Sequence, residues 1–416
     1  MATITVQPGP RKGVISVPPS KSDTQRALLC AALAKGESVI DKVGNSQDEQ
    51  AMLQAIVDLG ASVTPQGNGK YTIVGIQAFP KNVEIHVHES GLGARLLTAV
   101  CAAGQEKITV TGSGSLISRT MEFYRDVLPQ FGVHLFDFNG HLPITVQGPM
   151  VGNNLEIDGS ISSQFISGLL LALPLAKGVS HVKIKNLASR PYVDMTLKTL
   201  HAFGIEIEKE STDLYSIPGG QQFTPTNYVI EGDWSAASCW MTAAALGADL
   251  IISGLSASSA QADKQMLAAL MSAGCSVHVT SEGLRVNGTN KQPFEFDAND
   301  CPDLFPALVT LAAYIPGKSI LHGAHRLIHK ESNRAEALCS EFLKLGITIE
   351  HLDNELHIHG KSTIKGGEVQ AHNDHRIAMT LGICGLFSKD PIVIQGSESV
   401  SKSYPTFWED LDALVH

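Results

Sequence analysis

The sequence predicts an α/β fold of two halves, each built from three βαβαββ units, and two observations carry this prediction. First, a helix that ends in Gly and is followed at once by an alternating strand recurs five times among the 416 residues. The recurrent glycines, spaced by 72, 72, 70 and 72 residues, are Gly60, Gly132, Gly204, Gly274 and Gly346. Second, a short strand that also ends in Gly follows each of these strands, which indicates a hairpin after every helix.

The glycines indicate the corner at which each helix turns into a strand, because Gly adopts the left-handed conformation found at helix ends. A further helix in each unit, for example at residues 22–34, 163–175 and 234–246, completes the βαβαββ pattern. Six units predict two domains of three, residues 18–233 and residues 1–17 with 234–416, and a ligand site in the cleft between them. A solenoid of six units is less favoured, because no short fixed repeat is present.

The sixth unit needs a strand from the N-terminus. A sixth helix is predicted at residues 405–415, and the chain ends where its hairpin would follow. Residues 4–9, Ile-Thr-Val-Gln-Pro-Gly, closely match residues 144–148, Ile-Thr-Val-Gln-Gly, which form the last strand of the second unit. We therefore expect the N-terminal segment to supply the missing strand.

Composition excludes several function classes. The net charge is −10, from 31 Lys and Arg against 41 Asp and Glu, which argues against general binding to nucleic acid or to an anionic membrane. The N-terminus has no apolar signal region, and the most apolar window, residues 169–176, is too short to span a membrane. Seven cysteines without a CxxC pair indicate reduced thiols and predict a cytoplasmic protein.

Basic and hydroxyl residues gather where helices are predicted to begin. Residues 19–26 read Pro-Ser-Lys-Ser-Asp-Thr-Gln-Arg and precede an apolar run, and residues 158–165 place Ser162, Ser163 and Gln164 before another. Such helix starts bind anions through free N–H groups, the helix dipole and direct charge. The simpler interpretation is an N-cap with solvated charges.

Other helix starts carry the same chemistry. Lys330 and Arg334 are predicted on one helix face, four residues apart, with Glu331 turned about 100° away. Further candidates, each of which could instead be an ordinary turn or surface charge, are Arg119, Ser189, Tyr192, Arg376 and Lys402.

Two other kinds of site are weakly supported. The pairs His86 with His88 and His357 with His359 would each share one strand face, but no acidic ligand set completes a metal site in the sequence. Neither GxxxxGK[ST] nor GxGxxG occurs between a strand and a helix, so a nucleotide-binding fold is not indicated.

Six short motifs, in order along nearly the whole chain, resemble the 5-enolpyruvylshikimate-3-phosphate synthase family of enolpyruvyl transferases. They are residues 19–22 with Arg26, residues 162–164, Ser189 with Tyr192, Lys330-Glu331 with Arg334, residues 374–376, and Lys402. The resemblance implies a two-domain inside-out α/β barrel of six βαβαββ units. It also implies transfer of the enolpyruvyl group of phosphoenolpyruvate to the 5-hydroxyl of shikimate 3-phosphate, the sixth step of the shikimate pathway.

The resemblance assigns residues to two ligand shells and to catalysis. The implied shikimate 3-phosphate shell is Lys21, Ser22, Arg26, Ser162, Ser163, Gln164, Ser189, Tyr192, Asp303 and Lys330. The implied phosphoenolpyruvate shell, which in the family also admits the inhibitor glyphosate, is Lys21, Gly91, Arg119, Gln164, Arg334, Arg376 and Lys402. The implied catalytic groups are Asp303 as the base, Glu331 as proton donor or relay, and Lys21 beside the leaving phosphate.

Such a reaction requires no cofactor or metal ion, and the family resemblance leads us to expect a monomer with small-molecule substrates alone. Two alternatives remain at this point. The related transferase that acts on UDP-N-acetylglucosamine would favour Lys-Asn over Lys21-Ser22 and a loop cysteine near Arg119. A non-catalytic binder of phosphorylated metabolites would keep the basic residues without needing Asp303 and Glu331.

The chain departs from the family pattern at two places. Where the family commonly shows Asn-Ala-Gly-Thr, this chain has Glu89, Ser90, Gly91 and Leu92, so that Glu89 and Leu92 change the polarity of the loop. Arg326 stands where many relatives carry Asn.

Overall fold

The computed structural model describes residues 2–9, 11–328 and 330–414. The chain divides into two compact units, Pro19–Glu231 and a unit made of Met1–Pro18 with Gly232–His416. We call them the continuous unit and the split unit. The continuous unit contains three four-stranded sheets, and the split unit contains two four-stranded sheets and one of three strands.

The first two strands of the chain belong to the split unit, and the elements that follow them belong to the continuous unit. The split unit begins with β1 (Thr3–Val6) and β2 (Lys12–Ser16). The continuous unit then follows, and its helices are α1 (Lys21–Leu33), α2 (Gln47–Asp58), α3 (Gly91–Cys101), α4 (Glu122–Val127), α5 (Ser163–Ala172) and α6 (Arg190–Ala202). Its strands are β3 (Glu37–Asp41), β4 (Ser62–Gly67), β5 (Lys70–Val74), β6 (Val83–His86), β7 (Ile108–Thr111), β8 (His134–Phe138), β9 (His141–Gln147), β10 (Asn154–Asp158), β11 (Ser180–Lys185), β12 (Glu208–Lys209), β13 (Leu214–Ile217) and β14 (Asn227–Val229).

The remainder of the split unit repeats the same succession of elements. Its helices are α7 (Trp234–Leu246), α8 (Met266–Ser272), α9 (Phe305–Ala313), α10 (Arg334–Lys344), α11 (His375–Phe387) and α12 (Phe407–Ala413). Its strands are β15 (Asp249–Ser253), β16 (Ser276–Val279), β17 (Leu284–Asn287), β18 (Glu295–Asp297), β19 (Gly317–His322), β20 (Thr348–Leu352), β21 (Glu355–Gly360), β22 (Gly367–Gln370) and β23 (Ile392–Gln395).

Every four-stranded sheet has the same order. In the second repeat, for example, β6 pairs parallel with β7, β7 pairs antiparallel with β9, and β9 pairs antiparallel with β8. The parallel pair is joined through a helix, and the antiparallel pair is the hairpin predicted from the sequence. The predicted βαβαββ unit is therefore confirmed.

The first strand of two repeats comes from a distant part of the chain. β2 pairs parallel with β15, so it is the first strand of the fourth repeat, and β14 pairs parallel with β3, so it is the first strand of the first repeat. Backbone hydrogen bonds close both junctions. The N–H of Ser20 donates to the Glu231 carbonyl at 2.7 Å, and the N–H of Asp233 donates to the Pro18 carbonyl at 2.8 Å.

The N-terminal strand completes the sixth repeat, as predicted. β1 pairs antiparallel with β23, the position that β9 holds against β7 in the second repeat. The predicted helix at residues 405–415 is α12, and Val415 lies outside the described residues.

The glycine corners are also confirmed. The five recurrent glycines have φ of +99°, +79°, +76°, +78° and +85° in chain order. One hairpin is shorter than predicted, because the strand expected from Ile205 onward pairs only at Glu208–Lys209. The side-chain amide of Gln221 instead bonds the N–H and the carbonyl of Glu206, each at 2.9 Å, and so takes the place of a neighbouring strand.

The first helix of each repeat lies in the core. In α7, for example, every residue from Trp234 to Ala245 is buried, whereas β9 alternates buried with more exposed residues. A helix that is apolar on all sides must be surrounded by protein. The helices therefore form the interior and the sheets the outer wall, as the inside-out barrel requires. Polar groups at the N-termini of these inner helices become the candidate site residues.

Candidate functional site

The start of α1 brings three predicted residues of the continuous unit together. The Arg26 guanidinium, which is 1% exposed, donates to the Ser22 carbonyl at 2.7 Å and to the Tyr192 carbonyl at 3.3 Å. It also donates to the hydroxyls of Thr196 at 2.7 Å and Ser167 at 3.2 Å. Arg26 therefore links the beginnings of α1 and α6 through the side of α5.

Lys21, the first residue of α1, is paired with a carboxylate. Its ammonium lies 2.9 Å from the Asp48 carboxylate near the start of α2, and both side chains are mostly buried. The ammonium is thus fixed near the start of α1.

Asp23 fastens the same helix to the end of β14. Its carboxylate accepts hydrogen bonds from the Tyr228 hydroxyl at 2.8 Å and from the Glu231 N–H at 3.1 Å. Burial outweighs these bonds and raises the pKa of Asp23 to about 6. The sequence gives no direct sign of this role, because the partners of Asp23 lie more than 200 residues away.

The starts of α3 and α5 meet through Arg95. One guanidinium nitrogen of Arg95 donates to the Gly91 carbonyl at 3.1 Å and to Gln164 Oε1 at 2.8 Å. The guanidinium also lies 4.8 Å from the centre of the Phe165 ring. Arg95 was not among the predicted site residues, although its position four residues after Gly91 at a helix start is the signal that could have identified it.

Gly91 lies against Arg119. A Cβ atom at Gly91 would lie 2.3 Å from Arg119 Nη1 and 2.9 Å from Arg95 Nη1, so only glycine fits beside these guanidinium groups without a shift. The structure therefore brings together Gly91 and Arg119, which are far apart in sequence.

Glu89, a departure from the family pattern, anchors the segment before Arg119. Its carboxylate accepts hydrogen bonds from the N–H of Ser115 at 3.1 Å and from the Ser115 hydroxyl at 3.0 Å. The segment is a short 3₁₀ helix, Gly114–Ser118, and Arg119 follows it directly. The carboxylate of Glu89 thus orders the loop that carries Arg119.

The remaining hydroxyl residues lie at the starts of α5 and α6. Ser162 caps α5, because its hydroxyl accepts the N–H of Gln164 at 3.3 Å, and Ser163 is buried in the first turn. Ser189 precedes α6 in the left-handed region with φ of +53°, and its carbonyl accepts the N–H of Tyr192 at 3.1 Å. Local strain of this kind in a non-glycine residue is common at functional sites.

In the split unit, Asp303 is the centre of a cluster of charges. Its carboxylate accepts hydrogen bonds from Lys330 at 3.1 Å, from Arg334 at 2.7 Å and from Arg376 at 3.3 Å. Burial alone would raise the pKa of Asp303, but Arg376, Lys330 and Arg334 together hold it well below its usual range. Burial lowers the pKa of Lys330, and the neighbouring Arg334 adds to this effect.

Arg334 joins this cluster to two more carboxylates. Its guanidinium is 1% exposed and donates to Glu331 at 2.6 Å and to Asp374 at 2.7 Å and 3.2 Å. Asp374, which is fully buried, also caps α11 by accepting the N–H of Arg376 at 3.0 Å. Four predicted site residues from three separate segments, Asp303, Lys330 with Arg334, and Arg376, are therefore in direct contact with one another or with a shared carboxylate.

The prediction that Lys330 and Arg334 share one helix face is wrong. α10 begins at Arg334, and Asn333 caps it by accepting the N–H of Glu336 at 3.4 Å. Lys330 and Glu331 lie in the turn before the helix. The two cations meet nevertheless, because both reach Asp303 from different directions.

Lys402 lies at the end of a 3₁₀ helix, Ser397–Lys402, and is buried. Its ammonium donates to the carbonyl of Asn373 at 2.8 Å, one residue before Asp374. The last predicted cation thus contacts the turn that leads into α11.

Histidines of the two predicted pairs bond to hydroxyl and carboxylate side chains. His86 bonds Thr111 at 3.0 Å, and His357 and His359 pair with Glu355 and Glu350 respectively. In the part of the chain that the structure describes, no group of three or more His, Cys, Asp or Glu side chains is arranged to hold a metal ion. Within the same residues, no helix is both long enough and apolar enough to cross a bilayer.

An inside-out α/β barrel whose inner helix starts present Lys, Arg and hydroxyl groups defines the enolpyruvyl transferase class of enzymes. The model of the EPSP synthase (3-phosphoshikimate 1-carboxyvinyltransferase) family matches residues 6–411. The chain therefore belongs to the EPSP synthase family.

Characterised relatives extend over the whole chain. The chain is 36% identical over 416 residues to the 3-phosphoshikimate 1-carboxyvinyltransferase of Clostridium kluyveri, covering 100% of this chain and 97% of that protein. It is 37% identical over 419 residues to the enzyme of the same name from Clostridium acetobutylicum, with the same coverage. The solved structure of EPSP synthase from Acinetobacter baumannii is similar with a TM-score of 0.83 and 28% identity, over 99% of this chain and 97% of that one.

The raised pKa of Asp23 predicts a pH-dependent contribution to stability. Between the ordinary value of 3.8 and about 6, the folded chain keeps a proton on Asp23 that the unfolded chain has released. This contribution is present below pH 3.8 and is lost as the pH rises through about 6. Relative to Asp23→Asn, wild type should lose about 3 kcal/mol of unfolding free energy as the pH rises from about 4 to about 7.

Urea unfolding of both proteins at several pH values measures this difference. Asn keeps the bond from the Glu231 N–H, so the variant preserves the geometry while removing the titration. A difference in unfolding free energy that stays constant over this pH range would contradict the prediction.

Proposed function

We propose that this chain transfers the enolpyruvyl group of phosphoenolpyruvate to the 5-hydroxyl of shikimate 3-phosphate, and that phosphate is released. The observation that carries the proposal is the Asp303 cluster, in which a carboxylate and three cations from three segments of the chain meet in a member of the EPSP synthase family. Both substrates carry a phosphate and a carboxylate, so a site for them must supply several cations.

We propose that hydroxyl, amide and charged groups bind shikimate 3-phosphate. The hydroxyl and amide groups lie at the starts of α1, α5 and α6, where Arg26 holds the backbone of Ser22 and Tyr192 in place. The residues proposed for this shell are Lys21, Ser22, Arg26, Ser162, Ser163, Gln164, Ser189, Tyr192, Asp303 and Lys330.

The proposed phosphoenolpyruvate shell consists mainly of cations. Arg119 lies beside Gly91, whose lack of a Cβ leaves room for its guanidinium. The residues proposed for this shell are Lys21, Gly91, Arg119, Gln164, Arg334, Arg376 and Lys402. Bidentate guanidinium groups suit the carboxylate and phosphate of this ligand.

The ion pairs of the proposed site residues suggest how binding prepares the chemistry. Lys21 rests on Asp48, and Lys330, Arg334 and Arg376 rest on Asp303. When anionic substrates attract these cations, the carboxylate of Asp303 loses part of the charge that lowers its pKa. Substrate binding therefore raises the proton affinity of Asp303 and makes it a better base.

We propose three proton and charge roles. Asp303 takes the proton of the 5-hydroxyl as the oxygen attacks C2 of phosphoenolpyruvate, while Glu331 delivers a proton to the methylene carbon. The product of this addition is a tetrahedral ketal. The C–O bond to phosphate then breaks while the new methyl group returns a proton to Glu331, so that the C=C bond of the enol ether forms and Lys21 stabilises the charge of the leaving phosphate.

We further propose that the protein acts as a monomer in the cytoplasm. All the proposed site residues come from this single chain, which supports a monomer. The seven cysteines are free thiols, and six of them are buried, which supports a reducing compartment.

The test of the proposed function is incubation of the chain with phosphoenolpyruvate and shikimate 3-phosphate. We expect one phosphate released for each enolpyruvyl product, measured by a phosphate assay and by mass spectrometry. UDP-N-acetylglucosamine in place of shikimate 3-phosphate should give no phosphate. Binding of both substrates without turnover would instead identify a non-catalytic binder.

Asp303→Asn should lower kcat by about 10²- to 10⁴-fold, because the amide cannot accept the hydroxyl proton. Arg376→Ala should instead mainly raise KM for phosphoenolpyruvate. Steady-state kinetics at saturating substrates separate the two effects. A kcat close to that of wild type in Asp303→Asn would remove Asp303 from the mechanism.

Gly91→Ala should weaken the binding of glyphosate more than the binding of phosphoenolpyruvate. The reason is that the new methyl group would displace the guanidinium of Arg119 and narrow the site. One clashing methyl can supply roughly 1 to 3 kcal/mol of discrimination. The measurement is inhibition by glyphosate at varied phosphoenolpyruvate concentrations. Gly93→Ala is the control, since its Cβ would first meet Ser90 and Gln25 rather than an arginine. Equal proportional losses for both ligands in Gly91→Ala would contradict the prediction.

A further inference from the structure

The turn between β22 and α11 is strained and connects three of the proposed ligand-binding cations. The N–H of Asp374 donates to the carbonyl of Ala371 at 2.9 Å, which closes a four-residue turn. Its two central residues, His372 and Asn373, have φ of +52° and +54°. Among the described residues, they are the only two adjacent non-glycine residues with positive φ.

Such a turn requires support from its surroundings. A left-handed conformation costs an L-residue roughly 1 to 2 kcal/mol, and two successive positive φ angles are normally supplied by Gly, Asn or Asp. Asn373 suits its position, and His372 tolerates positive φ less readily than Gly, Asn or Asp in such a turn. A contact that holds the side chain of His372 would offset this cost.

Glu341 on α10 supplies that contact. His372 Nε2 donates to the Glu341 carboxylate at 2.7 Å, and the N–H of Gln370 donates to the same carboxylate at 2.9 Å. Glu341 is 2% exposed, and Lys344 pairs with it at 2.7 Å. Burial acts against the charge of Glu341, but the hydrogen bonds from Lys344, Gln370 and His372 hold its pKa below the usual value. A buried, ionised carboxylate thus accepts hydrogen bonds from both Gln370, the last residue of β22, and His372, the first left-handed residue of the turn.

This turn also determines the positions of the three proposed ligand-binding cations. The carbonyl of Asn373 accepts the Lys402 ammonium at 2.8 Å, and Asp374 accepts the Arg376 N–H at 3.0 Å and Arg334 Nε at 2.7 Å. If the turn relaxed to ordinary φ angles, the Asn373 carbonyl and the Asp374 carboxylate would both change direction. Lys402, Arg376 and Arg334 would then lose the hydrogen-bond acceptors that fix their positions relative to one another.

We infer that His372 and Glu341 are positioning residues, which hold the left-handed turn and through it orient Lys402, Arg376 and Arg334 for phosphoenolpyruvate. This inference rests on the proposed function, because that function makes these cations part of the phosphoenolpyruvate shell. Neither His372 nor Glu341 has to touch the substrate.

Two substitutions at residue 372 separate the contact from the strain. His372→Ala removes the contact with Glu341 and leaves a left-handed L-residue, so it should raise KM for phosphoenolpyruvate about three- to tenfold. KM for shikimate 3-phosphate and kcat should change less than about twofold. His372→Gly also removes the contact, but glycine favours positive φ. The KM of His372→Gly for phosphoenolpyruvate should therefore lie between the values of wild type and His372→Ala.

Asp353→Ala is the matched control. Asp353 has φ of +50° in the exposed hairpin between β20 and β21 of the same unit, so its replacement bears a similar conformational cost elsewhere. KM for phosphoenolpyruvate should be unchanged in this variant. Equal values of KM in wild type and His372→Ala would overturn the inference, and so would equal increases in His372→Ala and His372→Gly or a matching increase in Asp353→Ala.

Hydrogen exchange tests the turn without reference to activity. The amides of residues 371–376 should exchange faster in His372→Ala than in wild type, and at an intermediate rate in His372→Gly. Unchanged exchange in His372→Ala would overturn the structural part of the inference. If wild type released no phosphate, the proposed function would fail, whereas exchange would still report whether Glu341 and His372 hold the turn.

Discussion

Arg334 can lie in the interior of the split unit only because three carboxylates surround it. A buried guanidinium without partners would be too costly, and Asp303, Glu331 and Asp374 each accept hydrogen bonds from it. These carboxylates come from the starts of α9 and α11 and from the turn before α10. One side chain thus fixes three helix starts relative to one another, and the proposed base and proton donor are both bonded to it. Removing one member of such a buried network typically costs about 3 to 5 kcal/mol, so the arrangement is strongly specified.

The ion pairs of the site also bear on catalysis. Carboxylates of the chain hold the cations in place, and substrates bring carboxylates and phosphates that can replace them as partners. Because the exchange replaces one set of charge-assisted hydrogen bonds with another, the cations need little rearrangement when a substrate binds. The positions of Lys402 and Arg376 are set by a turn and a helix cap rather than by long flexible side chains alone, which reduces the freedom that binding must remove.

The fold could be predicted from the sequence, whereas the ligand and catalytic roles of the site residues stay predictions. Where the sequence misplaced or missed a feature, the cause is physical. Glycine spacing predicted the corners because few residues other than Gly adopt positive φ at the end of a helix. The sequence similarity between residues 4–9 and 144–148 predicted the pairing of β1. Lys330 was misplaced because a cap at Asn333 begins the helix later than the charge spacing suggested. The short third hairpin could not be predicted, because it depends on a side-chain bond from Gln221. The roles of Glu89, Asp23 and Glu341 also depend on contacts between distant segments, which single-sequence patterns do not show.

The pairing of β1 with β23 has a consequence for biosynthesis. β1 leaves the ribosome long before its partner strand, which begins at Ile392. At typical synthesis rates of 5 to 20 residues per second, β1 must wait roughly 20 to 80 seconds before it can pair. The continuous unit, whose strands all lie between residues 37 and 229, can close long before then. During this interval β1 is a strand without a sheet, a segment that chaperones would have reason to recognise and that a growing neighbour on the same messenger could capture.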